Sequence, residues 1–177
     1  MSSIDRVPEI ETRRLVLRAP TANDALRIAK LGNDFGVCSM TTRMPFPYGV
    51  GDARDFVETA EDQDRARDNT FVIAHDGEGV VGAIGFHKPQ GEPLELGYWI
   101  GRPYWGRGFA TEAAEAALQW ARSWWRRKLV MAGHFADNQA SAQVLIKAGF
   151  LYTGQVQKRH SRARGATAPT RMMVWLA

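Results

Sequence analysis

Between a strand-like segment and a strongly helical one stands the run Trp105, Gly106, Arg107, Gly108, Phe109, Ala110, Thr111 and Glu112, whose residue types are those of an anion cradle. Two glycines let the backbone approach a ligand closely. A helix beginning near Phe109 aims its unpaired amides and the positive end of its dipole at that ligand. Two familiar nucleotide loops fail here. A dinucleotide fingerprint needs Gly or Ala where Thr111 stands, and an acidic residue about twenty positions on, where the chain reads Trp124-Trp125-Arg126-Arg127-Lys128. Gly101 to Gly106 has the glycine spacing of a nucleoside-triphosphate loop, but Arg107 and Gly108 stand where Lys and Ser/Thr are required, leaving no hydroxyl for magnesium.

The chain around this cradle has 177 residues, 45% of them hydrophobic, which suits one domain with a substantial core, taken as residues 1–177 with its centre at about 10–176. One Cys (Cys38) excludes an internal disulfide, and four scattered His give no zinc-type spacing, so no metal is expected. The start, Met-Ser-Ser-Ile-Asp-Arg-Val-Pro, lacks an apolar signal core, and no window approaches the roughly 18 apolar residues of a membrane span. These features predict a cytoplasmic protein without a membrane partner. The net charge of +4 is modest. Its basic clusters, at 126–128 and 158–164, come without base-stacking or helix-turn-helix patterns, so they are read as solvated loops or a patch facing an anionic cofactor rather than a nucleic-acid site.

The elements that must hold the cradle follow from periodicity. Residues 14–18 alternate as a strand, and Thr21 with Asp24 three positions on caps a helix running toward Leu31. Residues 33–50 are irregular, and 52–67 form a surface helix. Residues 70–75 and 80–86 are apolar strands joined by Asp76-Gly77-Glu78-Gly79, a hairpin signal, and 94–100 is the next strand. Residues 109–125 carry Ala110, Ala113, Ala114, Ala117 and Ala121 at helical spacing, a small-residue face able to lie close on a sheet. A buried strand over 129–135, a helix over 138–148 capped by Gly149, and strands over 150–156 and 171–176 around a basic loop complete the pattern. Trp124 and Trp125 are read as packing on the neighbouring strand. The mixture of hairpins and strand-helix-strand runs indicates an α/β (α+β) domain with a mixed sheet covered on both faces.

The cradle, written Trp105-Gly106-Arg107-Gly108-Phe109-Ala110, resembles the acyl-CoA loop Gln/Arg-x-x-Gly-x-Gly/Ala of the GNAT superfamily of N-acetyltransferases. Trp105 departs from the usual first residue, but Tyr104 to Ala113 is similar to the form Tyr-Trp-Gly-Lys-Gly-Tyr-Ala-Thr-Glu-Ala written by the branch of ribosomal-protein N-terminal (Rim-like) acetyltransferases. A second block, Asn138, Ser141, Val144-Leu145, Lys147 and Gly149-Phe150, resembles the family's Asn-x-x-Ser-x-x-Val-Leu-x-Lys-x-Gly-Phe, and 11–18 also resembles the Rim-like branch. The resemblance implies a mostly antiparallel central sheet, helices on both faces, and strands 94–100 and 129–135 splaying apart.

It also implies roles. The arm of acetyl-CoA would borrow free backbone groups near Trp99, Ile100 and Gly101, and its pyrophosphate would meet the amides of Arg107, Gly108, Phe109, Ala110 and Thr111. The Arg107 side chain either adds charge there or faces solvent. Asn138 resembles the family's cofactor-contacting Asn and also suits a helix cap. An amine acceptor is mostly protonated at neutral pH, so a base is wanted: Glu95, directly or through a water, or His134 at the end of the facing strand. Glu95 reads equally as a salt-bridged strand charge, and His134 as a core or substrate-orienting residue. Many relatives place a Tyr four residues before the Gly-Phe pair to protonate the leaving thiolate, and Leu145 stands there instead, leaving Ser141 or water. His75 and His87 are read as structural.

The expected activity is acetyl transfer to a primary amine, a protein N-terminus or a small molecule, by a monomer or homodimer. A deep acidic pocket within 33–66 would favour a cationic small molecule. A CoA-binding sensor without turnover is the reading from another class, resting on the missing Tyr.

Overall fold

Alternation along the apolar strands gives each a face for two different cores, and the helices arrange themselves accordingly. The computed structural model describes residues 7–177, and the reading of the first residues as lacking a signal core rests mostly on positions outside them. Strands β1 (Ile10–Glu11), β2 (Leu15–Arg18), β3 (Asn69–His75), β4 (Gly79–His87), β5 (Glu95–Ile100), β6 (Leu129–Phe135), β7 (Leu151–Ser161) and β8 (Ala166–Leu176) form one sheet in the order β1-β2-β3-β4-β5-β6-β8-β7. The helices are α1 (Ala25–Gly32), α2 (Phe35–Cys38), α3 (Val50–Asp62), α4 (Phe109–Ser123) and α5 (Gln139–Lys147). Every neighbouring pair of strands is antiparallel except β5 and β6, which are parallel and meet at one register position, Glu95 opposite Met131.

Phe71 and Ile73 face α4 and α5, while Val72 between them faces α1 and α3, as the two-residue period of a strand requires. Ala113, Ala114, Ala117 and Ala121 are fully buried and bring α4 close to the sheet. No helix among the described residues is long and apolar enough to cross a membrane, and no group of three or more His, Cys, Asp or Glu among them stands ready to hold a metal.

Several bounds differ from those periodicity predicts. The stretch 33–50 contains α2, whose start is capped by Asp34 accepting from the amides of Gly36 and Val37. α3 begins earlier, at Val50, because Asp52 accepts from Gly49 N–H at 2.8 Å, and ends at Asp62, where Gln63 turns extended. α4 ends at Ser123 because Arg126 takes a left-handed φ of 57° and reverses the chain. Trp125 then packs on Trp120 and Phe86, but Trp124 is 82% exposed, contrary to its expected packing.

The largest difference is the hairpin of β7 and β8. The basic stretch 158–164 is not a loop between short strands: most of it continues β7, and β8 starts at Ala166 despite Pro169. Pro169 is tolerated because it lies just past the end of the β6 ladder at Thr170, where its C=O accepts from Ala136 N–H at 2.9 Å and no ladder bond calls for an N–H of its own. The hairpin tip folds over the α2–α3 loop. Arg162 N–H donates to Thr42 C=O at 3.1 Å, Arg164 Nε to Ser39 C=O at 2.6 Å, and the Arg164 guanidinium forks onto Asp137. Those arginines are spent on closing the molecule.

At the start of α1, burial alone would raise the Asp24 carboxyl, but the Arg18 guanidinium at 2.8 and 2.9 Å and the Thr21 amide and hydroxyl hold it below the usual carboxylate range. A carboxyl depressed in the folded state stabilises above its unfolded pKa, near ~4, and that contribution is lost as pH falls through the folded value. Asp24→Asn is therefore expected to flatten the acid side of the stability-against-pH curve, measured by denaturant unfolding. An unchanged slope below about pH 4 would remove Asp24 from the account.

Candidate active site

Each residue at the cradle has a backbone reason to be there. Gly106 and Gly108 hold φ of 74° and 79°, left-handed values that side chains disfavour, and Gly108 is the residue on which α4 starts. The first intrahelical bond runs from Glu112 N–H to Gly108 C=O, so the amides of Phe109, Ala110 and Thr111 have no acceptor within the helix. A Cβ on Gly106 would meet nothing within 4 Å, which leaves the cradle open to a ligand. Its outer rim is anchored to the first strands. Arg14 donates to Arg107 C=O at 2.9 Å, while Glu112 accepts from Arg14 Nε and the Thr12 hydroxyl. The Arg107 guanidinium lies over Phe109 and 3.6 Å from Glu78, so its side chain is drawn along the rim.

Beyond the single register position at Glu95, β5 and β6 splay, and a cleft of about 1120 Å³ passes through the opening. Strand alternation gives it two sides. Leu96, Tyr98 and Ile100 face α4 and α5, where the cradle lies, whereas Glu95, Gly97 and Trp99 face α1, α3 and the β7–β8 tip. The hole in the sheet therefore joins a cradle on one face to a roofed chamber on the other.

The backbone groups available to a ligand are not quite those expected. Gly101 N–H is spent on Val81 C=O at 2.8 Å, and Ile100 C=O accepts from Trp105 Nε1 at 2.6 Å. In an antiparallel ladder a residue's N–H and C=O face the same neighbour. Gly101 and Trp99 thus address β4, and the groups turned to the gap belong to Leu96, Tyr98 and the amide of Ile100. Trp99 still lines the cleft with its side chain.

Asn138 and Ser141 border the cleft at the start of α5. Asn138 Oδ1 accepts from Ser141 N–H at 3.1 Å, which is the cap role. The Ser141 hydroxyl lies 2.7 Å from the Tyr98 hydroxyl. Burial pushes the Tyr98 phenol up to about 12, against a smaller opposing effect from Ser141, so it stays a protonated donor at neutral pH. Tyr98 was not singled out by the sequence, although it shares the parity of Leu96 and Ile100 and its hydroxyl takes the ground that Leu145, fully buried in the core, cannot.

The two expected bases fare differently. Glu95 lines the cleft at the vertex of the splay, with its carboxylate in a two-pronged pair with Arg159 of β7, one contact at 3.1 Å and the other with Arg159 Nη1 shorter. His134 is 4% exposed and does not line the cleft. Its Nδ1 donates to Phe135 C=O at 2.8 Å, since a carbonyl can only accept, and its Nε2 accepts from the Tyr152 hydroxyl at 2.9 Å. Both ring nitrogens are used inside the fold, which leaves His134 an orienting role in the core rather than a base. Ala132, Gly133 and Phe135 all line the cleft, so alternation along β6 does not set His134 apart; its two bonds inside the fold do. His75 packs at a tilt of 46° against Phe109, and His87 Nδ1 lies 3.0 Å from Asp68.

The chamber is not acidic. Between 36 and 60 its lining supplies one charge, Arg43, beside apolar and hydroxyl side chains such as Met40, Met44, Tyr48, Phe56 and Thr59. Acidic side chains of the stretch 33–66 gather instead in a second, shallower depression, lined by Asp55, Glu58 and Asp62 together with Asp68.

The family model described as Acetyltransferase (GNAT) domain matches residues 14–151. The chain is 28% identical over 158 residues to the uncharacterized N-acetyltransferase p20 of Bacillus licheniformis, covering 87% of this chain and 88% of that one. Its fold is shared with the microcin C7 self-immunity acetyltransferase MccE, solved with acetyl-CoA and AMP, at a TM-score of 0.81, 18% identity and 94% coverage of both chains. It is equally shared with RimL, the ribosomal L7/L12 α-N-protein acetyltransferase solved with coenzyme A, at a TM-score of 0.81, 18% identity and coverage of 96% and 98%.

Proposed function

This chain belongs to the GNAT acetyltransferase family and is an acetyltransferase, and from that premise we propose that it moves the acetyl group of acetyl-CoA to a primary amine held in the chamber beneath the β7–β8 hairpin. The observation that carries this reading is the open start of α4, with left-handed Gly106 and Gly108, beside the splay of β5 and β6. The amides of Arg107 to Thr111 suit a pyrophosphate, and the gap suits a slender arm whose amide groups complete the sheet against Leu96, Tyr98 and Ile100. That the relatives MccE and RimL were solved with acetyl-CoA and coenzyme A supports the donor.

When bound, acetyl-CoA supplies the activated acyl carbon. The chain supplies position and proton routes. The amine approaches from the α3 side as an ammonium and gives one proton to solvent by way of the Glu95 carboxylate; its lone pair then attacks the acyl carbon, Glu95 takes the nitrogen's second proton, and the C–S bond breaks. Ser141 Oγ–H gives its proton to the departing sulfur and is reprotonated from solvent through the Tyr98 hydroxyl, while Glu95 returns its proton to solvent. Asn138 holds the start of α5 in place for Ser141. We take residues 1–177 as one catalytic domain working in the cytoplasm, where a single buried Cys38 stays reduced. The roof over the chamber favours a slender acceptor, a small amine or a peptide end.

The test is release of free thiol from acetyl-CoA on addition of amines and short peptides. Ser141→Ala and Tyr98→Phe are each expected to lower that rate by about 10- to 100-fold with acetyl-CoA affinity kept. Their effects should be less than additive, because both act on one hydrogen bond. Full additivity, or wild-type rates in both variants, would separate the pair from the thiolate.

A further inference from the structure

Two carboxylates line the cleft, Glu95 and Asp137, and each is already taken by an arginine of the β7–β8 hairpin. Glu95 and Arg159 meet as a fork at the vertex of the splay, each side chain 26% exposed, with Arg159 steadied by its Nε donating to Gln157 Oε1 at 3.1 Å. Asp137 is held by both Nη atoms of Arg164. A simple ammonium entering the chamber thus meets no free carboxylate. To reach Glu95 it must displace Arg159 and leave a part-buried guanidinium with Gln157 Oε1 in place of its carboxylate, one ion pair being exchanged for another with nothing gained. Arg43, also in the lining, adds a further positive charge.

A molecule bearing both charges removes the difficulty. Resting on the acetyl-transfer reading above, we propose that the acceptor is a small zwitterionic amine, with a carboxylate a few bonds from the nitrogen as in an amino acid, and that Arg159 is the receptor for that carboxylate. The guanidinium forks onto the incoming carboxylate with the same two-pronged geometry it now offers Glu95. Glu95, released at the vertex, accepts the ammonium and then its proton. One ion pair becomes two, so no buried charge is stranded, and the base is freed only when the right acceptor is in place.

The experiment compares free alanine, serine and aspartate with their methyl esters, and peptides opening in Asp with the same peptides opening in Asn, as acceptors in the thiol-release assay at equal concentrations of neutral amine. The acids are expected to exceed their esters in kcat/KM by about tenfold or more. Arg159→Gln is expected to collapse the acid-to-ester ratio toward unity, and Arg159→Lys to keep part of it, while calorimetry shows acetyl-CoA still bound as evidence of an intact fold. A preference for Asp peptides over free amino acids would overturn the small-molecule assignment. Esters matching acids, or an acid preference that survives Arg159→Gln, would overturn the role of Arg159 while leaving acetyl transfer standing. Thiol release with none of these amines would overturn the acetyl-transfer reading itself and this inference with it.

Discussion

Gly108→Val is expected to lower the affinity for acetyl-CoA by at least about a hundredfold in a calorimetric titration. Two costs combine. A left-handed φ of 79° is disfavoured for a residue with a Cβ by roughly 1–2 kcal/mol, and more for a branched one, so the loop relaxes to relieve it. Relaxation swings the amides of Phe109 to Thr111 off the line of the phosphates, and a hydrogen bond to a charged group is worth about 1.5–3 kcal/mol. The new side chain also lies 3.4 Å from the Arg14 guanidinium that pins the rim. Gly51→Ala is the matching control, since a Cβ there meets nothing within 4 Å and α3 lies outside the cradle. Its affinity is expected to stay at the wild-type value. Circular dichroism would show that both variants keep their helices, and tight binding by Gly108→Val would remove the cradle as the donor site.

The second large effect separates Glu95 from His134. Glu95→Gln keeps the shape of the vertex and removes the proton acceptor, so the acetylation rate is expected to fall by about a hundredfold or more. His134→Ala acts elsewhere. It empties a buried site and removes one bond each from Phe135 C=O, which keeps Asn138 N–H, and from the part-exposed Tyr152 hydroxyl, so a loss of about 2–4 kcal/mol in denaturant unfolding is expected with the acetylation rate of the folded protein largely kept. A wild-type rate for Glu95→Gln, or a comparable loss of rate in folded His134→Ala, would reverse the assignment.

What the sequence disclosed about this site was local. The cradle was legible because two glycines and a helix start impose their geometry within eight residues, and the alanine stripe of α4 because a helix repeats every 3.6. The hairpin at Asp76 to Gly79 was legible for the same reason. Where readings failed, the deciding contact came from far along the chain. Residue types at 158–164 look like a charged loop until Thr42, Ser39 and Asp137 are brought beneath them by the fold. Glu95 and Arg159 lie 64 positions apart and Tyr98 and Ser141 lie 43 apart, so neither pair leaves a spacing signal. His134 follows the same rule, because the Tyr152 hydroxyl that occupies its Nε2 lies 18 positions along the chain.

The measurement that bears most directly on the central claim is a crystal structure with acetyl-CoA bound. The pyrophosphate is expected on the amides of Arg107 to Thr111, the arm between β5 and β6 against Leu96, Tyr98 and Ile100, and the acetyl group at the hole in the sheet, with Ser141 on one side and Glu95 on the other. Acetyl-CoA lying along the outer surface of α4 or beneath the β7–β8 hairpin, with the gap between β5 and β6 empty, would contradict the account.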